Sequence, residues 1–252
     1  MKILHIIDSG GMYGAEMVLL SLVREQINIG LQPEIASIGE YGIEVKPLEE
    51  QAQKMGLSVS IFRMRPGPNP VGALKIRSYA LNNEFDLLHS HGYKGNILLG
   101  GMPAAFRRLP LVSTLHGYTS TKGLSKMRLY EWLDRKMLSR LDAVVLVSEA
   151  MRDDPKLRRQ VEADFRVIPN GIAPFEEVNR PPDDPALPVV SRFCANNFII
   201  GAVGRLSSEK GFHHLIEAFG MVASAFEECK LLILGEGRER DRLETKVRSL
   251  GL

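Results

Sequence analysis

Arg205 and Lys210 stand on either side of the point where an apolar run ending Gly201-Ala202-Val203-Gly204 gives way to a helical pattern beginning at Gly211. Two cations beside a helix N-terminus suit a diphosphate, which needs fixed donors and positive charge where its negative charge gathers. The plain alternative is a pair of solvated surface charges. One strand further on, Leu232-Ile233-Leu234-Gly235-Glu236-Gly237 forms a second glycine turn. It either lets a nucleotide come close to the backbone or simply joins a strand to a helix.

The N-terminal part carries its own set of such turns. Gly10-Gly11-Met12-Tyr13-Gly14-Ala15-Glu16 follows the first apolar run and opens the first helical pattern, so its backbone N–H groups suit a phosphate or part of a sugar. His89 and His91, in Leu88-His89-Ser90-His91-Gly92-Tyr93-Lys94, are two apart on an extended chain and point to one side. A zinc site there would need a third ligand, and no acidic or cysteine partner suggests itself. Contact with a ligand at the strand's carboxyl end and a purely structural role both stay open. In Ser113-Thr114-Leu115-His116-Gly117-Tyr118, His116 either handles a proton or sugar hydroxyl near neutral pH or is a satisfied loop histidine. Ser148 before Glu149 reads first as a helix cap, and Asn170-Gly171 as a turn.

These residues need a scaffold that brings strand ends together. Short apolar runs at Ile3–Ile7, Glu34–Ile38, Val59–Phe62, Asp86–His89, Leu111–Leu115, Ala143–Val147 and Phe165–Ile168 alternate with helical periodicity, as in Ala15–Asn28. Runs apolar on both faces predict a parallel sheet covered on both sides, a doubly wound α/β domain over residues 1–172. Prolines 174, 181, 182, 185 and 188 among acidic residues predict a linker or long loop over 173–197. The βα rhythm then resumes over 198–252, with strands Phe198–Val203 and Lys230–Leu234 and helices Gly211–Phe226 and Arg238–Leu250. Two βα units make about half of a mononucleotide-binding fold, so this second Rossmann-like domain is expected to be incomplete.

Bulk properties narrow the classes. With 252 residues, 44% apolar and 25% charged, the chain is ordinary globular protein. A formal charge of +2 argues against a nucleic-acid partner. Cys194 and Cys229 alone make no disulfide framework and fit a reducing compartment. No apolar run approaches the ~18 residues of a membrane span, so the expected place is the cytoplasm, with peripheral contact to its membrane face allowed.

Together these residues resemble family 4 of the retaining glycosyltransferases, which have the GT-B fold. The matching pieces are Gly10-Gly11 with Glu16, His89-Ser90-His91-Gly92, Thr114-Leu115-His116-Gly117, Val147-Ser148, Ile168-Pro169-Asn170-Gly171-Ile172, Val203-Gly204-Arg205 with Lys210-Gly211, and Leu234-Gly235-Glu236-Gly237. They occur in the family's order and cover nearly the whole chain. The resemblance implies two facing Rossmann-like domains, the first binding acceptor and the second the nucleotide of the donor. It implies that Arg205 and Lys210 hold the donor diphosphate and stabilise charge as the nucleotide leaves. His116 would contact the transferred sugar, and these three would be the catalytic residues. Gly10, Gly11, Gly14, Glu16, His91, Ser148, Asn170, Gly204, Gly235 and Gly237 would bind donor or substrate. No metal or other cofactor is implied; the partners are a nucleotide sugar and a sugar or lipid-linked acceptor, in glycan or glycolipid biosynthesis. The family's glutamate pair, expected beyond the Gly235–Gly237 turn, is absent from the sequence, so the donor domain reads as cut short.

Two other classes compete. A sugar-nucleotide epimerase on the same fold needs acidic residues in the cleft to abstract a proton, and none is well placed among the strand ends. A truncated, non-catalytic binding module would keep acceptor recognition without donor chemistry. A nicotinamide dehydrogenase ranks below both, because the Gly-x-Gly-x-x-Gly spacing is missing.

Overall fold

The computed structural model describes residues 1–67, 69–117, 126–158, 165–171 and 186–252. The chain divides into two compact units, Met1–Pro174 and Phe175–Leu252.

In the first unit the elements run β1 (Lys2–Ile7), α1 (Gly14–Asn28), β2 (Gln32–Glu40), α2 (Pro47–Lys54), β3 (Val59–Met64), α3 (Pro70–Asn82), β4 (Leu87–Ser90) and α4 (Tyr93–Gly100). They continue with α5 (Ala104–Arg107), β5 (Leu111–Leu115), α6 (Lys126–Leu138), β6 (Ala143–Leu146), α7 (Glu149–Arg152), α8 (Pro155–Arg158) and β7 (Phe165–Val167). The strands form one sheet in the order β3-β2-β1-β4-β5-β6-β7, and each neighbouring pair is parallel.

Alternation along β1 explains both covers of this sheet. Leu4 and Ile6 join a core with Ala73, Ile76, Leu98, Leu99 and Leu138, from α3, α4 and α6. Ile7 packs on the other face with Leu19, Leu20 and Val23 of α1 and Leu48 of α2. A strand buried on both sides tolerates few polar residues, yet His5 sits in the middle of β1 with no exposed surface. The strand order reverses between β1 and β4, and open α/β sheets bind ligands outside the carboxyl ends of the strands at such a switch point. His5 pairs in register with His89 there.

In the second unit α9 (Ala186–Cys194) precedes β8 (Phe198–Val203), a 3₁₀ turn (Ser208–Lys210), α10 (Phe212–Ala223), β9 (Cys229–Leu234) and α11 (Arg240–Ser249). β8 and β9 pair in parallel from Phe198↔Cys229 to Val203↔Leu234. Leu206, Phe212, Ile216 and Leu243 form its core.

The stretch 173–197, expected as linker or loop, contains α9. Pro188 falls in the first turn of that helix, where its missing N–H leaves no intrahelical bond unmade, so the proline is compatible with helix rather than a sign of loop. Residues 173–185 of the expected linker lie outside the described residues, as do Tyr118 and Ile172.

Candidate functional site

The switch point gathers three of the expected loops. After β1, Ser9 Oγ donates to the Gly11 carbonyl at 2.7 Å, and Tyr13 N donates to the Glu16 carboxylate at 3.0 Å, fixing the start of α1. Glu16 is thereby a buried helix-capping carboxylate. A Cβ at Gly10 or Gly14 would meet no atom within 4 Å, and neither residue has positive φ. Neither packing nor backbone geometry therefore demands glycine at those two positions, whose backbone is left open to approach.

An ion cluster anchors this loop. Asp8 Oδ1 lies 2.9 Å from Lys46 Nζ, and Asp8 Oδ2 lies 3.0 Å from Lys94 Nζ. Lys46 is buried and also donates to the carbonyls of Ser9, at 2.7 Å, and of Ile38. A buried ammonium is tolerable only when its donors are taken up in this way.

Beneath the loops runs a chain of imidazoles. His5 Nε2 lies 2.7 Å from Gln26 Oε1 on α1, and His5 Nδ1 lies 3.0 Å from His91 Nε2. His91 Nδ1 lies 3.2 Å from His116 Nε2, just past β5. His89 bonds instead to Thr114 Oγ1, at 2.8 Å, with its ring centroid 4.2 Å from that of His91. Burial lowers the pKa of all four rings. His5 falls to about 4, against a partial rise from Gln26. His89 falls to about 3, with repulsion from His5 and His116 adding to burial. For His116 the nearby Glu16 charge works against the fall. The rings are neutral at pH 7.

His5, His89 and His91 each offer a ring nitrogen within 4.8 Å of the others, so the third imidazole missing from the spacing argument is supplied by β1. Both nitrogens of His5 and of His91 are nonetheless engaged in hydrogen bonds. His91, expected at a ligand, has its bonds inside the protein. Sequence reading passed over His5, Gln26, Asp8 and Lys46. The available signal was one histidine inside an otherwise apolar strand, a buried polar group that must find a partner.

The remaining expected residues are more dispersed. Ser148 occupies the N-cap position of α7, yet its side chain makes no capping bond. Asn170 and Gly171 are exposed beyond β7, and Ile172 lies outside the described residues.

In the second unit Arg205 follows β8 and its guanidinium donates to Glu209 at 2.7 Å, while Lys210 is exposed at the end of the 3₁₀ turn. That turn separates strand from helix, so α10 begins at Phe212 behind Gly211, which adopts φ 68°. The two glycine turns pack backbone against backbone. A Cβ on Gly235 would lie 1.9 Å from the Gly204 carbonyl oxygen, and one on Gly237 would lie 2.2 Å from that of Leu206. Gly235 and Gly237 thus have a packing reason that Gly10 and Gly14 lack. An apolar hollow of about 640 Å³ among α10, β9 and α11 includes Gly235 in its lining but neither Arg205 nor Lys210.

Comparison with known proteins decides the family. The profile described as Glycosyltransferase Family 4 matches residues 12–174, and that described as Glycosyl transferases group 1 matches residues 184–252. The chain belongs to glycosyltransferase family 4. Among relatives of this family 4 chain, the phosphatidylinositol N-acetylglucosaminyltransferase GPI3 subunit of Saccharomyces cerevisiae is 26% identical over 206 residues, covering 76% of the chain and 44% of the relative. The phosphatidyl-myo-inositol mannosyltransferase of Propionibacterium freudenreichii is 28% identical over 184 residues, covering 72% of the chain and 44% of the relative. The chain thus spans less than half the length of these relatives. The crystal structure of Anabaena HepE in complex with UDP and glucose aligns with all of the chain and 67% of HepE, at TM-score 0.76 and 22% identity. The fold is that of the GT-B glycosyltransferases.

Proposed function

We propose that the protein moves a sugar from a nucleotide-sugar donor to a hydroxyl acceptor, with retention at the anomeric carbon, in glycan or glycolipid biosynthesis. The observation that carries this reading is the open glycine loop at the switch point, beside the strand ends that bear His91 and His116, in a family 4 chain. Arg205 and Lys210 would hold the diphosphate and stabilise the charge that develops as the nucleotide leaves, so that protein cations rather than a metal ion supply this term. Gly10, Gly11 and Gly14 would admit phosphate or sugar, and His116 would meet a sugar hydroxyl.

UDP in the HepE structure makes a uridine donor the first to test. The phosphatidylinositol in the names of two relatives makes an inositol lipid the first acceptor. No helix among the described residues is long and apolar enough to cross a membrane. The proposed reach to such a lipid is peripheral, from the cytoplasmic face.

Calorimetry should show UDP binding, and Arg205→Ala with Lys210→Ala should abolish it. Unchanged affinity in the double variant removes the two cations from the donor site. Flat titrations with UDP, GDP and ADP alike overturn the donor assignment.

A further inference from the structure

We propose that Gln26 sets which nitrogen of His116 carries its proton, acting through His5 and His91, and that the ring at the strand end is thereby held as a hydrogen-bond acceptor. The direction of the chain follows from its Gln26 end. Gln26 Oε1, 2.7 Å from His5 Nε2, accepts only, so His5 carries its proton on Nε2. His5 is neutral at pH 7, with its pKa at about 4, so its Nδ1 is a lone pair. The bond to His91 at 3.0 Å is then donated by His91 Nε2–H. The same step repeats. His91 Nδ1 must accept, and the 3.2 Å bond from His116 is donated by His116 Nε2–H. His116 Nδ1 is left as a lone pair, and it is buried with no hydrogen-bond partner among the described residues.

Each ring has two nitrogens and one proton, so fixing one bond fixes the next. A reversed chain, with every proton on Nδ1, would need the Gln26 amide turned so that its Nε2 donates, whereas it is Oε1 that faces His5. The half-buried Gln26 on α1 is thus a positioning residue, connected to His116 only through two intervening rings. An acceptor nitrogen suits a group that donates, which among sugars is a hydroxyl. That last clause rests on the glycosyltransferase reading, whereas the order of protons does not.

The competing use of these side chains is a zinc ion held by His5, His89 and His91, whose nitrogens lie within 4.8 Å of one another. It would have to break the His5–His91 bond, and the hydrogen bonds on both sides of these rings favour the proton chain.

Imidazole ¹⁵N–¹H correlation spectra of the whole chain, labelled at histidine and recorded at mildly alkaline pH, test this without donor or acceptor. His5, His91 and His116 should all be Nε2–H tautomers. Gln26→Leu should introduce Nδ1–H signal in the three rings together, and Gln26→Glu, which keeps an acceptor, should restore the single Nε2–H set. Nδ1–H rings in the unaltered chain overturn the proposal, as does a His116 signal indifferent to Gln26→Leu. One equivalent of bound zinc, lost in His5→Phe, overturns it as well. Melting curves of the variants establish that each is folded, and because position 26 is half-buried, Gln26→Met provides a second apolar replacement. A chain with this order of protons but no UDP affinity would keep the wire and lose the proposed function, so the two failures are distinguishable.

Discussion

At the scale of single residues, the unusual feature is four neutral imidazoles gathered under one end of a parallel sheet. Their burial has a consequence for stability whose sign is fixed. Folded-state pKa values below the unfolded value of 6.5 mean that the unfolded chain binds protons first as pH falls. Stability is therefore fully present above pH 6.5 and is lost between there and the folded values, about 4 for His5 and about 3 for His89. Each ring contributes up to about 1.4 kcal/mol per pH unit within that window. Urea unfolding of the first unit should show a midpoint that is flat from pH 8 to 7 and falls steeply towards pH 5. His5→Leu, which removes one titrating ring, should make the fall shallower. A midpoint independent of pH would mean that the rings titrate alike in the folded and unfolded chain, and that burial does not hold them neutral.

At the scale of elements, glycine turns that look alike in sequence do different work. Gly235 must be glycine because the loops after β8 and β9 touch: its Cβ would sit 1.9 Å from a backbone oxygen that no rotamer change can move. Gly235→Ala should cost roughly 1–3 kcal/mol or more. Gly10→Ala, with no atom within 4 Å of the added Cβ, should stay within about 0.5 kcal/mol of the parent while weakening ligand binding. Denaturant midpoints measured beside UDP titrations separate the two, and a large stability loss at Gly10 would make that glycine structural. The strands were legible in the sequence because apolar runs such as Ile3–Ile7 are buried on both faces, and the turns because glycine marks them. Pro188 misled, since proline in a first helical turn looks the same as proline in a loop. The histidine chain was hidden for another reason: His5 meets His89 only through the β1–β4 register, and Gln26 meets His5 only once α1 has folded onto the sheet.

At the scale of the whole molecule, two compact units carry separate cores of unequal size. The first unit has two extensive apolar clusters on the faces of a seven-stranded sheet. The second has a smaller one built on Leu206, Phe212, Ile216 and Leu243 over two strands, with Phe198 and Val203 of β8 exposed. A two-stranded sheet is marginal alone and depends on the helices packed against it, so the second unit should be the less stable. Scanning calorimetry should resolve two transitions, the lower belonging to Phe175–Leu252. Ile216→Ala removes a side chain with 1% exposure and should cost about 2–5 kcal/mol, lowering the first transition only. Ile38→Ala, fully buried in the first unit, should lower the second only. If Arg205 and Lys210 hold the donor diphosphate as proposed, a nucleotide diphosphate should raise the lower transition, because a ligand stabilises the unit that binds it. If both substitutions shift one common transition equally, the units unfold as one body and the division into separate stabilities is wrong.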